Sequence, residues 1–316
     1  MYKISLMEKK DINEAIDLWY ENLLTYCDGK MLPAFLPGGK QNMAKYFSER
    51  IVDRAAIILK DKNNVIGYFS WISFGFHNEK SAFCPIIGHF GIEDSKEVIY
   101  TLLYNYASKE WIKNDIFNHL WMINSKDNVL KKFSYDMGFG SYVIDACAKT
   151  ATIKEANCQY KIAKAEKNDS ELLFNLVEES RQYYLNAPIF LKRKIIAREE
   201  IQKIIENNVI FLAWDNNDLV GFMLIRINDE YDIEQLLTPE SASIDTLGAY
   251  IKLEYRGKGI GKSLLYHVSK YCSNNSINYV HVCFETSNTY GNKFWRKYFN
   301  PIILSVRRTV NKDANI

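Results

Sequence analysis

The chain has 316 residues, more than one typical hydrophobic core needs, and nearly half of them are apolar, enough to bury one large or two medium domains. Forty Lys and Arg against 38 Asp and Glu leave a formal charge of +2, without the basic bias of a nucleic-acid or membrane-surface binder. Charges interrupt the N-terminal MYKISLMEKKD where a signal peptide needs an apolar core, and no apolar run reaches membrane-spanning length, so a cytoplasmic protein is expected.

In chain order, YKISLMEKKD (2–11) reads as an opening strand followed by helical segments, in which Gly38-Gly39-Lys40 is expected to be a plain turn. IILKDKNNVIGYFSW (57–71) spells a β-hairpin: an apolar run, an Asn/Asp turn and a second apolar run. The stretch 83–100 carries only the isolated Gly88 and Gly91, with Glu93, Asp94 and Glu97 near a helix start, and FSYDMGFG (133–140) reads as a closing helix. The pattern then restarts. YKIAKAEKND (160–169) agrees with 2–11 at six of ten positions, Pro188–Leu191 echoes Pro33–Leu36, and IFLAWDNNDLVGFMLI (210–225) repeats the hairpin. A period near 155 residues indicates duplicated domains, 1–155 and 156–316, rather than a solenoid. In the second copy, Lys192-Arg193-Lys194 with Arg198 is expected to be a solvated helix face. An apolar strand (Leu247–Leu253), a glycine-rich turn into a helix (254–268), a strand (280–288) and a short aromatic helix (291–299) then follow.

The six cysteines, at 27, 84, 147, 158, 272 and 283, form no Cys-x-x-Cys and have no local His pairing, so free buried thiols and no metal site are expected. His281, in an alternating strand, is expected to be a packed or exposed strand residue rather than a catalyst.

The turn EYRGKGIGKSLL (254–265) exposes backbone N–H groups ahead of a helix, the usual setting for an anion. A Walker A loop fails because Arg256 stands where its first glycine is required, and Gly-x-Gly-x-x-Gly fails because Lys262 or Leu264 falls at the third glycine. Arg256-x-x-Gly259-x-Gly261 survives. Between an apolar strand and a helix, it resembles the pyrophosphate loop of the GNAT family of acyl-CoA-dependent N-acyltransferases. Asn288 ahead of the last helix resembles the family's second signature, with Gly291 at its usual Ala, Trp295 where many members carry a tyrosine, and Phe299 in place of a glycine.

The resemblance implies two tandem GNAT-like domains, each a mixed, mostly antiparallel sheet flanked by helices, the first degenerate because it lacks the loop. It implies acetyl-CoA as co-substrate, an amine acceptor, no metal, no nucleic-acid or membrane partner, and a monomer or homodimer. The pyrophosphate would lie on Arg256, Gly257, Lys258, Gly259, Ile260, Gly261 and Lys262, the pantetheine along Ala249, Tyr250 and Ile251, and Asn288 would complete the site. Asp245, six residues before Ile251, is a candidate base if strand alternation keeps 245, 247, 249 and 251 on one face; Glu285 is the alternative. Tyr298, one turn beyond Trp295, is a candidate acid for the leaving thiolate. A CoA-binding protein without turnover is the rival reading, and the acceptor is not legible.

Overall fold

The computed structural model describes residues 2–26 and 35–313, with side chains of the second stretch from Gly39 onward. Cys27 and Pro33–Ala34 lie outside the described residues. In chain order the elements are β1 (Tyr2–Leu6), α1 (Ile12–Tyr26), α2 (Phe35–Val52), β2 (Ala56–Asp61), β3 (Asn64–Ser70), β4 (Ile72–Phe76), β5 (Glu79–Cys84), β6 (His89–Gly91), α3 (Lys96–Lys113), β7 (Asn118–Asn124), α4 (Asn128–Asp136) and β8 (Gly140–Lys149). They continue with β9 (Lys161–Lys164), α5 (Ser170–Leu185), α6 (Arg198–Asn207), β10 (Val209–Asp215), β11 (Asp218–Ile227), β12 (Ser241–Ile244), β13 (Ala249–Ile251), α7 (Ile260–Asn274), β14 (Tyr279–Glu285), α8 (Thr289–Tyr298) and β15 (Asn300–Thr309). Gly38–Lys40, expected as a turn, lies inside α2. Among the described residues no helix is long and apolar enough to cross a membrane.

The chain forms two compact units, residues 1–145, 231–237 and 301–316, and residues 146–230 and 238–300. These do not coincide with the sequence halves 1–155 and 156–316, because the closing strand of the second half belongs to the first unit.

In unit 1 one sheet runs β1–β2–β3–β6 and a further strand set β4–β5–β7–β15. β15 is antiparallel to β7, with Ile303 opposite Asn124 and Thr309 opposite Asn118. Polar pairs fix that register: Arg307 Nε donates to Asn118 Oδ1 at 2.7 Å, and Ser125 Oγ donates to the Pro301 carbonyl at 2.7 Å. In unit 2 the order is β14–β12–β11–β10–β9, with β13 on β11. Leu212, Phe222 and Leu224 pack into a core with Leu173, Leu176, Ile201 and Ile205 of α5 and α6. The neighbouring Phe211 meets His267 and Tyr271 of α7, so α7 covers the opposite face of that sheet.

The duplication recurs in local chemistry. Each copy opens its first helical stretch with a reciprocal cap: the Glu8 and Glu166 N–H groups donate to Asp11 and Asp169 at 2.9 and 2.8 Å. Each hairpin carries a bulge before its glycine, between Leu59 and Lys60 and between Ala213 and Trp214. Each glycine then meets a third strand, Gly67 opposite Gly91 of β6 and Gly221 opposite Ile251 of β13.

Three histidines are buried, His89 and His119 in unit 1 and His281 in unit 2, and burial lowers each pKa to about 4. An unfolded histidine protonates near 6.5, so between the two values the unfolded state binds more protons and stability falls as pH falls. Chemical unfolding at pH 7.5, 6.0 and 5.0 should show stability dropping below pH 6.5, by up to ~1.4 kcal/mol per pH unit for each histidine. A midpoint flat across that range would contradict the buried neutral assignment.

Candidate functional site

The site of unit 2 begins with a strand that parts from its neighbour. β12 runs parallel to β14, Ser241 opposite Tyr279 through Ile244 opposite Val282. Residues 245–248 then form a turn, with the Gly248 N–H donating to the Asp245 carbonyl at 2.7 Å and left-handed φ at Thr246 (59°) and Gly248 (70°). β13 resumes beyond it, paired with β11 alone. Leu224 N–H bonds the Gly248 carbonyl and Lys252 N–H the Val220 carbonyl, with Tyr250 opposite Phe222 between them. Backbone groups of 248, 250 and 252 therefore serve β11, and those of Ala249 and Ile251 face the other way.

The glycine turn stands beside this edge. Gly257 and Gly259 have φ of +77° and +86°, which glycine adopts without the Cβ penalty, and Gly259 is the N-cap of α7. The first turn of α7 holds no acidic residue, and its N–H groups precede the intrahelical ladder, leaving a positive end. At Gly261 a Cβ would lie 3.1 Å from the Phe294 ring and 3.3 Å from Ile251 Cδ1, so glycine lets α7 approach α8 and β13. The Arg256 guanidinium is held over Tyr183, Tyr290 and Tyr250 at 4.4, 5.3 and 5.6 Å, and its Nε donates to the Ile251 carbonyl at 3.0 Å. Its Nη1 is buried with no hydrogen-bond partner.

These parts enclose a cavity of about 550 Å³ lined by Ala249, Tyr250, Ile251, Arg256, Gly257, Gly259, Ile260, Gly261, Lys262, Asn288, Trp295 and Tyr298. Of the residues singled out from sequence, Asp245, Lys258 and the alternative base Glu285 are not in that lining; the Lys258 ammonium lies 4.8 Å over the Tyr255 ring. The expectation that 245, 247, 249 and 251 share a face fails because the turn breaks the alternation. Asp245 Oδ2 instead accepts from Arg226 Nε and Nη2 at 3.0 and 2.7 Å. Glu285, at the end of β14, contributes to raising the pKa of the Tyr184 phenol, which burial drives most and Arg193 opposes. Tyr250 is held protonated by burial and by its 2.9 Å donation to Glu179.

Sequence reasoning missed Tyr183, Tyr184, Tyr290 and Lys293, which also line the cavity. Their one signal, a Tyr-Tyr pair at a helix end, is common in ordinary cores. The free-thiol expectation also needs correction: Cys84, Cys147 and Cys272 are buried, but Cys283 is exposed and Cys158 half-buried.

In unit 1 the corresponding place is filled. Four residues (92–95) connect β6 to α3, where eight (252–259) connect β13 to α7, so the glycine turn has no room. Lys96, 2% exposed, projects from the start of α3 to Asp127 at 2.9 Å, Tyr26 at 2.6 Å and Glu93. Burial lowers its pKa, but those three partners outweigh the penalty and raise it, keeping the amine charged. Asp127 caps α4 through the Leu130 N–H as Asn288 caps α8 through the Gly291 N–H.

Residues 173–300 match the family described as Acetyltransferase (GNAT) family. The whole chain is similar in structure to a GCN5-related N-acetyltransferase from Sphaerobacter thermophilus, with TM-score 0.60, 12% identity, and coverage of 100% of this chain and 98% of that one. It is also similar to a tandem GNAT protein from the clavulanic acid biosynthesis pathway, with TM-score 0.51, 11% identity and 100% of each chain covered. A glucosamine N-acetyltransferase region in a fungal multi-domain GH3 β-N-acetylglucosaminidase gives TM-score 0.54 at 12% identity, over 97% of this chain and 38% of that one. No sequence among curated proteins matches the chain. Residues 173–300 thus belong to the GNAT family, and the chain has a tandem GNAT fold.

Asn288 is 6% exposed; besides its cap, it accepts from Tyr183 at 3.2 Å and donates to Tyr184 at 3.3 Å. Asn288→Ala should therefore lower stability by about 1–2 kcal/mol in urea unfolding. An unchanged midpoint would show that the cap is dispensable.

Proposed function

We propose that residues 156–316 are an acyl-CoA N-acyltransferase domain, taking acetyl from acetyl-CoA to a primary amine of a small-molecule or peptide acceptor. The observation that carries this reading is the buried, unpartnered Arg256 Nη1 beside the Gly257–Lys262 turn, which together suit a pyrophosphate. The outward groups of Ala249 and the Ile251 N–H, the Ile251 carbonyl being taken by Arg256, suit the amides of a pantetheine arm and the polarisation of a thioester carbonyl. In this account the amine nitrogen attacks the thioester carbon, the C–S bond breaks, the amine proton passes to a base and the CoA thiolate is protonated. Asp245 is engaged by Arg226, so we assign the base to Glu285, which ends β14 outside the lining but three residues before the cavity-lining Asn288, and the acid to Tyr298, whose ring packs on Phe294 at 5.1 Å. The protein is read as cytoplasmic, metal-independent, and a monomer or homodimer.

A second reading, CoA binding without turnover, is favoured by Trp295, 8% exposed and packed on Phe294 and Phe299 where many relatives carry a tyrosine. An indole N–H does not act as an acid near neutral pH.

Calorimetric titration should give one CoA per chain, and Gly259→Glu, which puts a side chain and a negative charge where phosphate approaches, should abolish it. Two equivalents, or an undiminished affinity in the variant, would defeat the site assignment. With an acceptor in hand, Glu285→Gln and Tyr298→Phe should each lower kcat by ~10²-fold or more without changing CoA affinity, while Asp245→Asn stays within about threefold. CoA binding with no thiol release from any amine would favour the second reading.

A further inference from the structure

A second cavity of unit 2, about 560 Å³, lies against α5, α6 and the 245–248 turn, within the helical segments around 176–206 where the sequence places an acceptor pocket without a recognisable set of side chains. Its charged lining is Arg181, Arg193, Lys194 and Lys203 against a single carboxylate, Glu200. Arg181 is neutralised by Glu178 at 2.8 Å, and Glu200 accepts from the Ala197 N–H at the start of α6. Among the described residues neither Lys194 nor Lys203 pairs with a carboxylate, so the cavity carries unbalanced positive charge. The expectation of a solvated helix face over 192–198 does not hold here: residues 192–197 are irregular, and Arg193 folds back with its guanidinium 3.7 Å over the Tyr184 ring.

An independent feature points to a ligand. Ser180, on α5, is 3% exposed, lines the cavity, and its Oγ has no hydrogen-bond partner. A buried hydroxyl without a partner is a standing free-energy penalty that an anionic oxygen relieves. Tyr184 lines the first cavity and Arg193 the second, so their stack divides the two.

We propose that this cavity holds the acceptor, and that the acceptor is an amine bearing a carboxylate or phosphate. Its anion takes the Ser180 Oγ–H and the charges of Lys194, Lys203 and Arg193, and its amine passes Tyr184 toward the acyl group. A polyamine or aminoglycoside, with several ammonium groups, meets repulsion instead. The inference rests on the acyl-transfer reading.

The test uses the full chain saturated with CoA, so that the glycine turn is occupied. Inorganic phosphate and L-glutamate are titrated by calorimetry into this complex and into Ser180→Ala and Lys203→Glu. At least one anion should bind, with affinity about tenfold or more weaker in each variant and CoA affinity unchanged; which anion binds distinguishes phosphate from carboxylate. Thiol release is then compared for lysine against cadaverine and for glucosamine 6-phosphate against glucosamine, and in a turned-over pair the anionic member should lead by about tenfold in kcat/KM. Should no amine turn over, the anion titration decides alone. The proposal is overturned if CoA binds but neither anion does, if both variants bind anions as the parent does, or if the members without the anion are used equally well. Failure of CoA itself to bind overturns the acyl-transfer reading, and this inference with it.

Discussion

A strand that turns aside after Ile244 is what leaves the sheet of unit 2 open. Up to that residue β12 keeps to β14; the left-handed residues Thr246 and Gly248 then redirect the chain, and β13 resumes against β11 alone. An unpaired strand edge is ordinarily a liability, because buried N–H and C=O groups without partners are costly. Here that edge borders a cavity whose other walls are the α7 N-terminus and α8. The site is thus made of main-chain groups held at a fixed spacing, and the proposed acyl-CoA ligand would place its amides on the strand and its pyrophosphate on the helix start. The side chains that matter most either permit backbone approach, as at Gly257, Gly259 and Gly261, or hold one charge in place, as at Arg256.

The two copies show what that arrangement requires. In unit 1 the hairpin, the third strand and the capped helix persist, yet the connection before α3 is four residues shorter than its counterpart before α7. The Lys96 ammonium fills the helix start and is satisfied internally by Asp127, Glu93 and Tyr26. A pyrophosphate there would have to displace two carboxylates from a buried amine, which is strongly unfavourable. Core packing does not depend on the glycine turn in this fold, since unit 1 keeps the first without the second.

What was legible in the sequence was what depends on local chemistry. The matching segments 2–11 and 160–169, the paired hairpins and the 256–261 turn are each written within about a dozen residues, so the duplication and the loop emerged directly. Features that depend on long-range pairing did not. Asp245 was placed on the wrong face because period-two alternation fails across a turn that Thr-Leu-Gly does not announce. β15 is a strand buried over five consecutive residues, which carries no alternation to name its partner, and its place beside β7 is decided by contacts such as Arg307 with Asn118, 189 residues apart. Arg193 reads as a solvated cation until Tyr184 is brought beneath it.

The central claim is that the free edge of β13 and the start of α7 together receive acyl-CoA. Amide hydrogen exchange with and without CoA measures this directly. The account requires new protection at the Ala249 and Ile251 N–H groups and across Gly257–Lys262, with none at the start of α3 around Lys96. Unchanged exchange along 249–262, or protection appearing at Lys96–Ile99 instead, would contradict it.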